Sequence, residues 1–146
     1  MEFLPLLGKQ LKDDEVIDLL EWWEADVIYD FDRLHEGQPD EYSAASKPDG
    51  IQLKFNVSQK LDTVFLYIIP DDGFEAFSLS DCDVPFFETS SDVEAHGAAQ
   101  GAQVSKGEAN LLGINRSWVR LEFGTHAVHY EFKWGDLAMI TISRAL

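Results

Sequence analysis

The chain has few basic residues and almost no cysteine. It carries 11 lysines and arginines against 27 aspartates and glutamates, which gives a formal net charge of −16 at pH 7. A surface of that sign repels phosphate, so the composition argues against direct binding of nucleic acid or of an anionic membrane. The single cysteine, Cys82, cannot form an internal disulfide, which fits a reducing compartment. No basic residue stands near Cys82 to lower its pKa, so we do not expect it to act as a nucleophile.

Long apolar segments are also absent. The longest apolar run covers residues 64–69, far short of the roughly 20 residues that a membrane-spanning helix needs. Residues 1–15 have neither a basic start nor an extended apolar stretch, so they lack the features of a signal peptide. These features predict a cytoplasmic protein, and the length of 146 residues predicts one domain over residues 1–146.

The signatures of common enzyme classes are missing. The chain has no glycine-rich phosphate loop, no G-x-S-x-G elbow and no H-E-x-x-H motif. His126 and His129 are three residues apart across a turn and a strand start, where their rings point in different directions. Two carboxylate pairs are more typical of acidic loops than of acid–base or metal sites; they are Asp30 with Asp32 and Asp81 with Asp83. We therefore expect no enzymatic activity, no metal site and no cofactor.

Residues 13–25 show the periodicity of an amphipathic helix. Apolar residues recur at i, i+3, i+4 and i+7, which places them on one face. The spacing predicts a helix over residues 14–25 with Asp13 as its N-cap. The face that packs against the core is predicted to consist of Val16, Leu19, Leu20 and Trp23.

The remaining chain predicts strands and one further helix. Residues 36–49 are rich in Gly, Pro, Ser and Asp and predict a loop. Residues 50–57 alternate apolar and polar, and residues 61–69 are apolar on both faces, which indicates a central strand. A short helix with an N-cap is expected near residues 90–97. Three alternating segments after residue 116 predict an antiparallel meander. The fold class is therefore α+β, a mostly antiparallel sheet with one or two helices packed on one face.

The acidity is concentrated in the first two thirds of the chain. Residues 1–94 hold 23 acidic and 6 basic residues, whereas residues 95–146 hold 4 and 5. Trp22 stands at the edge of the predicted helix, and tryptophan is enriched at the energetic centres of protein interfaces. This pattern predicts a surface that attracts and binds a basic protein. The predicted contact residues are Asp14, Asp18, Glu21, Trp22, Glu24, Asp30 and Asp32.

Two other surfaces remain open as alternatives. The face of the meander that points away from the helices carries a mixed set of charges and aromatic rings; it consists of Trp118, Arg120, Glu122, His129, Glu131 and Lys133. A small-molecule pocket between sheet and helix is the other alternative. The aromatic residues that would line it are Phe65, Tyr67, Phe123, Tyr130 and Phe132.

Four segments together resemble small bacterial immunity proteins, which are encoded beside polymorphic or contact-dependent toxins. The segments are LLGKQLKDDEVIDLL, GIQLKFNVSQKLDTVFLYI, TSSDVEAHG and SWVRLEF…AVHYEFKWGDLAMITI. The resemblance implies a protein that neutralises a cognate toxin by direct binding. If that toxin is a nuclease, an acidic surface suits an active site built for phosphate. The same charge pattern also suits a nucleic-acid mimic that binds some other DNA-binding protein.

Overall fold

The fold is built on one antiparallel sheet of eight strands. A computed structural model describes residues 1–31, 36–37, 39–78 and 82–145. The elements are α1 (Asp14–Trp22), β1 (Val27–Asp30), β2 (Glu41–Ser46), β3 (Ile51–Phe55), β4 (Leu61–Tyr67), α2 (Ser90–Ala99), β5 (Gln103–Leu111), β6 (Ile114–Glu122), β7 (His126–Lys133) and β8 (Asp136–Arg144). The spatial order β1-β2-β3-β4-β8-β7-β6-β5 joins two four-stranded meanders through β4 and β8. The predicted α+β class is confirmed.

One face of the sheet carries the hydrophobic core. Ile142 of β8 pairs with Val64 on one side and with Val128 on the other, and all three side chains are buried. Both helices cover this face, because Leu20 of α1 and Val93 of α2 belong to the same buried cluster as these strand residues. Side chains alternate along a strand, so the neighbouring residues form an outer face that no described helix covers. The acidic helix therefore lies on the core side.

The helix α1 is shorter than predicted. It ends at Trp22, three residues before the predicted end, and Trp23 follows as its C-cap. Val16 and Leu20 are buried as expected, whereas Leu19 and Trp23 are only half-buried. Asp13 occupies the N-cap position but does not cap the helix with its side chain; the carboxylate accepts the Gln10 N–H at 2.8 Å instead.

Two strands lie where the sequence pattern gave no strand signal. β2 falls inside the segment that was predicted to be a loop; its residues 41–44 pair with β1 and its residues 42–46 pair with β3. β5 pairs with β6 and extends the predicted three-stranded meander to four strands. The predicted capped helix is confirmed as α2, where Thr89 Oγ1 accepts the Asp92 N–H at 3.2 Å.

The first residues of the chain are part of the core. Phe3 is completely buried, and the Asp83 carboxylate accepts the N–H groups of Phe3 at 2.9 Å and of Leu4 at 2.8 Å. Asp83 therefore has a structural contact that the sequence did not reveal. Its predicted companion Asp81 lies outside the described residues.

Candidate protein-binding surface

The exposed face of α1 is acidic. Asp14, Asp18 and Glu21 follow each other at intervals of four and three residues, so they share one face of the helix, and all three are exposed. Val16 and Leu20 anchor the opposite face in the core. Trp22 lies at the flank of the acidic face and is 80% exposed. The helix thus holds these predicted contact residues at the surface.

Only part of the charge on α1 stabilises the helix itself, since Asp14 and Glu15 lie in the first turn, where acidic residues favour the helix dipole. Residues 13–31 contain eight acidic residues and no basic one. Glu21 lies in the last turn, where a negative charge opposes the helix dipole, and that turn carries no basic residue. Asp14 and Asp18 are like charges at i and i+4, an arrangement that costs a helix a few tenths of a kcal/mol. The acidity of α1 beyond its first turn therefore calls for an explanation outside helix stability.

The sequence predicted that Glu24 lies on the polar face of the helix. This prediction is wrong, because α1 ends at Trp22 and Glu24 follows its C-cap. The chain turns through a Schellman motif, in which Ala25 N–H donates to Leu20 O at 2.9 Å and Glu24 N–H donates to Glu21 O at 3.1 Å. The motif requires a left-handed residue at Glu24, whose φ is +51°. Glycine is the usual residue there, because a side chain is strained in this conformation. The turn carries an exposed glutamate where glycine would be more stable.

We expect Glu24→Gly to raise the free energy of unfolding by about 1 kcal/mol, because it removes this strain. Glu24→Gln is the matched control, since it removes the charge but keeps the strained Cβ atom. Thermal or urea unfolding of the three proteins measures the difference. A gain of equal size in Glu24→Gln would assign the effect to charge repulsion instead of backbone strain.

β1 adds exposed aromatic and aliphatic side chains to the acidic ones. All four of its residues are exposed. The Tyr29 ring stacks on Tyr42 with centroids 4.9 Å apart, and its hydroxyl donates to Asp40 Oδ2 at 2.6 Å. That hydrogen bond raises the pKa of Tyr29 above its ordinary value. Asp30 Oδ2 accepts the Ser43 hydroxyl at 3.5 Å. The predicted contact residue Asp32 lies outside the described residues.

Exposed apolar residues are concentrated in this part of the chain. Among the residues that the structure describes, six of the thirteen exposed large hydrophobic ones belong to residues 17–31; they are Ile17, Trp22, Val27, Ile28, Tyr29 and Phe31. The sequence pattern had not marked the apolar residues after Trp22 as contacts, because a short apolar run between acidic residues equally fits a buried strand. We call the exposed side chains of residues 14–31 the α1–β1 surface.

A groove adjoins the α1–β1 surface at Trp22. Its volume is about 350 Å³, and Trp22, Trp23, Pro48, Asp49 and Phe77 are among the residues that line it. Aromatic faces beside a carboxylate form a favourable environment for an ammonium or guanidinium group. The groove can therefore accept a basic side chain of a partner.

The five aromatic residues expected around a ligand pocket do not line a common cavity. Tyr130 and Phe132 are buried in the core, and Phe123 is partly buried against it. Phe65 and Tyr67 project from the outer face of β4, because their neighbours Val64 and Leu66 face the core. Tyr67 stacks there on Phe74, with ring centroids 4.1 Å apart.

The outer sheet face pairs its charges internally. Arg120 Nε lies 3.1 Å from Glu122 Oε1, and Lys133 Nζ lies 3.6 Å from Asp71 Oδ2. His126 and His129 are on opposite faces of β7, since an odd separation along a strand reverses the side chain. Within the described ranges no group of three or more His, Cys, Asp or Glu residues is arranged to hold a metal ion.

Comparison of the chain with protein-family models, with curated proteins and with solved structures finds no match. In the part of the chain that the structure describes, no helix is long and apolar enough to cross a membrane. The case for function therefore rests on the α1–β1 surface and its chemistry.

Proposed function

We propose that this protein binds a basic protein through the α1–β1 surface, and that the partner is a bacterial toxin which it neutralises. The observation that carries the proposal is the coincidence of exposed apolar side chains with unbalanced acidity: six exposed large hydrophobics stand in residues 17–31, and residues 13–31 have eight acidic residues and no basic one. Apolar anchors within a charged rim are the usual composition of a protein interface.

The two components have different roles. The carboxylates of Asp14, Asp18 and Glu21 create a field that attracts a basic partner and speeds the encounter. Trp22 and the apolar residues of β1 lose contact with water in the complex and slow its dissociation. A toxin that acts on nucleic acid has a basic active site, so this surface is complementary to such a site. Toxin neutralisation is the part of the proposal that rests on the resemblance to immunity proteins.

We expect reversal of two charges on α1, Asp18→Lys with Glu21→Lys, to slow association with the partner by about tenfold at low salt. Glu88→Lys with Asp136→Lys is the matched control, because it changes the net charge equally at two exposed positions outside the α1–β1 surface. Each protein serves as bait in extracts of the organism that encodes the chain. The partner is a basic protein that the wild type and the control retain and the α1 variant loses.

The purified partner then allows two decisive measurements. Its association rate should fall as the salt concentration rises, since exposed charges are screened over a Debye length of about 8 Å at physiological ionic strength. Expression of the partner alone should stop growth of a host cell, and co-expression of the wild-type protein should restore it. A salt-independent association rate, or equal binding by the α1 variant and the control, would contradict the proposed surface. A partner whose expression does not stop growth of the host cell would contradict the proposal that the partner is a toxin.

A further inference from the structure

Among the strands that the structure describes, β1 forms one edge of the sheet. β1 stands at the end of the strand order, so among the described strands it has a neighbour on one side only, β2. Natural edge strands are often protected by short length, charged side chains, proline or a bulge. β1 is short and ends at Asp30, but its first three residues are uncharged, it contains no proline, and the β1–β2 register is continuous. The edge at the other end of the sheet differs, because β5 carries Lys106 and Glu108 near its centre.

The hydrogen-bond pattern of the neighbouring strands shows which backbone groups of β1 face outward. Tyr67 N–H donates to Gly50 O at 2.9 Å, so Tyr67 of β4 directs its N–H toward the β3 side. This direction alternates along an antiparallel strand, so Leu66 directs its groups toward β8, and its register partner Ile51 directs its groups toward β2. The register partner of Ile51 in β2 is Ser46, and the alternation along β2 then turns Ser43 toward β1.

Ser43 is opposite Ile28 in the register of β1 and β2. Ile28 and Asp30 therefore direct their backbone groups to β2, whereas Val27 and Tyr29 direct theirs away from the sheet. These two residues offer both N–H donors and C=O acceptors to a further strand.

The negative charge around β1 determines which kind of segment can pair with its outer edge. Asp26 and Asp30 flank the exposed apolar residues, and α1 places Asp18 and Glu21 in the same acidic segment. A second copy of this chain would bring acid against acid at the edge. A segment with lysine or arginine between apolar residues would pair each base with these carboxylates, since opposite charges across strands stabilise a sheet and like charges destabilise it.

We propose that β1 extends the sheet by one strand contributed by the basic partner, with the outward N–H and C=O groups of Val27 and Tyr29 hydrogen-bonded to it. Strand addition of this kind derives affinity from main-chain hydrogen bonds and specificity from alternate side chains. The inference rests on the proposed function, because the partner strand belongs to the protein that the α1–β1 surface binds.

The test uses the full chain and a defined probe, an acetylated and amidated nine-residue peptide of alternating lysine and valine. We expect this peptide to protect the Val27 and Tyr29 amides from hydrogen exchange, measured by nuclear magnetic resonance. The Ile28 amide should be protected already in the free protein. The matched peptide of alternating glutamate and valine should leave all three amides unchanged.

Val27 allows a matched pair of variants. Val27→Pro removes one outward N–H donor at the first position of the strand, where proline is tolerated. Val27→Ala also removes the valine side chain but keeps the N–H donor. We expect the lysine–valine peptide to bind Val27→Pro about tenfold more weakly than Val27→Ala, the effect of one lost hydrogen bond that leaves an acceptor unpaired. Circular dichroism should show the same fold for both variants.

Three results would overturn strand addition: equal affinities of the two Val27 variants, protection confined to other strands, or no binding at millimolar peptide. The proposed function fails by a different result, which is unchanged partner binding after reversal of Asp18 and Glu21. If binding of the partner depends on Asp18 and Glu21 but not on the Val27 N–H, the proposed function is supported and the added strand is excluded.

Discussion

Replacement of Phe3 by alanine is expected to lower the free energy of unfolding by about 3–5 kcal/mol, the usual cost of truncating a buried aromatic side chain. Phe3 is 0% exposed, and its ring centroid lies 6.0 Å from that of Phe77. Its N–H is held by the Asp83 carboxylate, so the chain start cannot easily move to fill the cavity. Urea unfolding of the wild type and the variant measures the loss.

Phe3→Leu is the control for this prediction. It keeps most of the apolar volume and should cost only about 1–2 kcal/mol. Both variants should still bind the partner at a temperature where they are folded, since Phe3 is not part of the α1–β1 surface. An unfolding midpoint of Phe3→Ala equal to that of the wild type would mean that the first residues are not part of the cooperative core.

The segments predicted correctly are those whose hydrophobic pattern matches their burial. Ile51, Leu53 and Phe55 alternate in the sequence and are all buried in β3. Thr89 followed by Asp92 predicts the start of α2, because the capping hydrogen bond is local in sequence. The secondary structure of such segments can be predicted from their own residues, whichever strands they pair with in the fold.

The missed strands lie at or near the sheet edges, where burial leaves little pattern. β2 buries only Ala44 and Ser46, two small residues that give a weak alternating hydrophobic pattern. β5 is exposed at every position except the half-buried Gly107, so its strand pairing rests on the ladder that β6 provides. Strand formation in both segments therefore depends on pairing with the adjacent strand that has the stronger hydrophobic pattern, β3 for β2 and β6 for β5.

The candidate site was predictable in its charges but not in its geometry. The exposure of Asp18, Glu21 and Trp22 follows from helical spacing alone. The early end of α1, and with it the left-handed turn at Glu24, depends on the docking of Ala25 against the core. The exposure of Ile28 depends on β1 being the last strand of the sheet. Tertiary context therefore determines how far the surface extends beyond the helix.

Trp22→Ala should weaken binding of the partner by about 2 kcal/mol or more, which is roughly a thirtyfold increase in the dissociation constant. The side chain is 80% exposed in the free protein and lines the groove with Trp23 and Asp49. In the complex it can lose that exposed area to a partner side chain. Because Trp22 carries no charge, its loss should act mainly on the dissociation rate and leave the association rate nearly unchanged.

Trp134→Ala is the matched control, because Trp134 is 66% exposed in the turn between β7 and β8, outside the α1–β1 surface. Surface plasmon resonance with the purified partner should show fast dissociation for Trp22→Ala and wild-type rates for Trp134→Ala. Both variants should unfold at the wild-type temperature, since neither ring is buried in the core. Equal dissociation rates for the two variants would remove Trp22 from the interface. A slower association of Trp22→Ala with unchanged dissociation would also contradict its role as an anchor, because an uncharged ring does not steer the encounter.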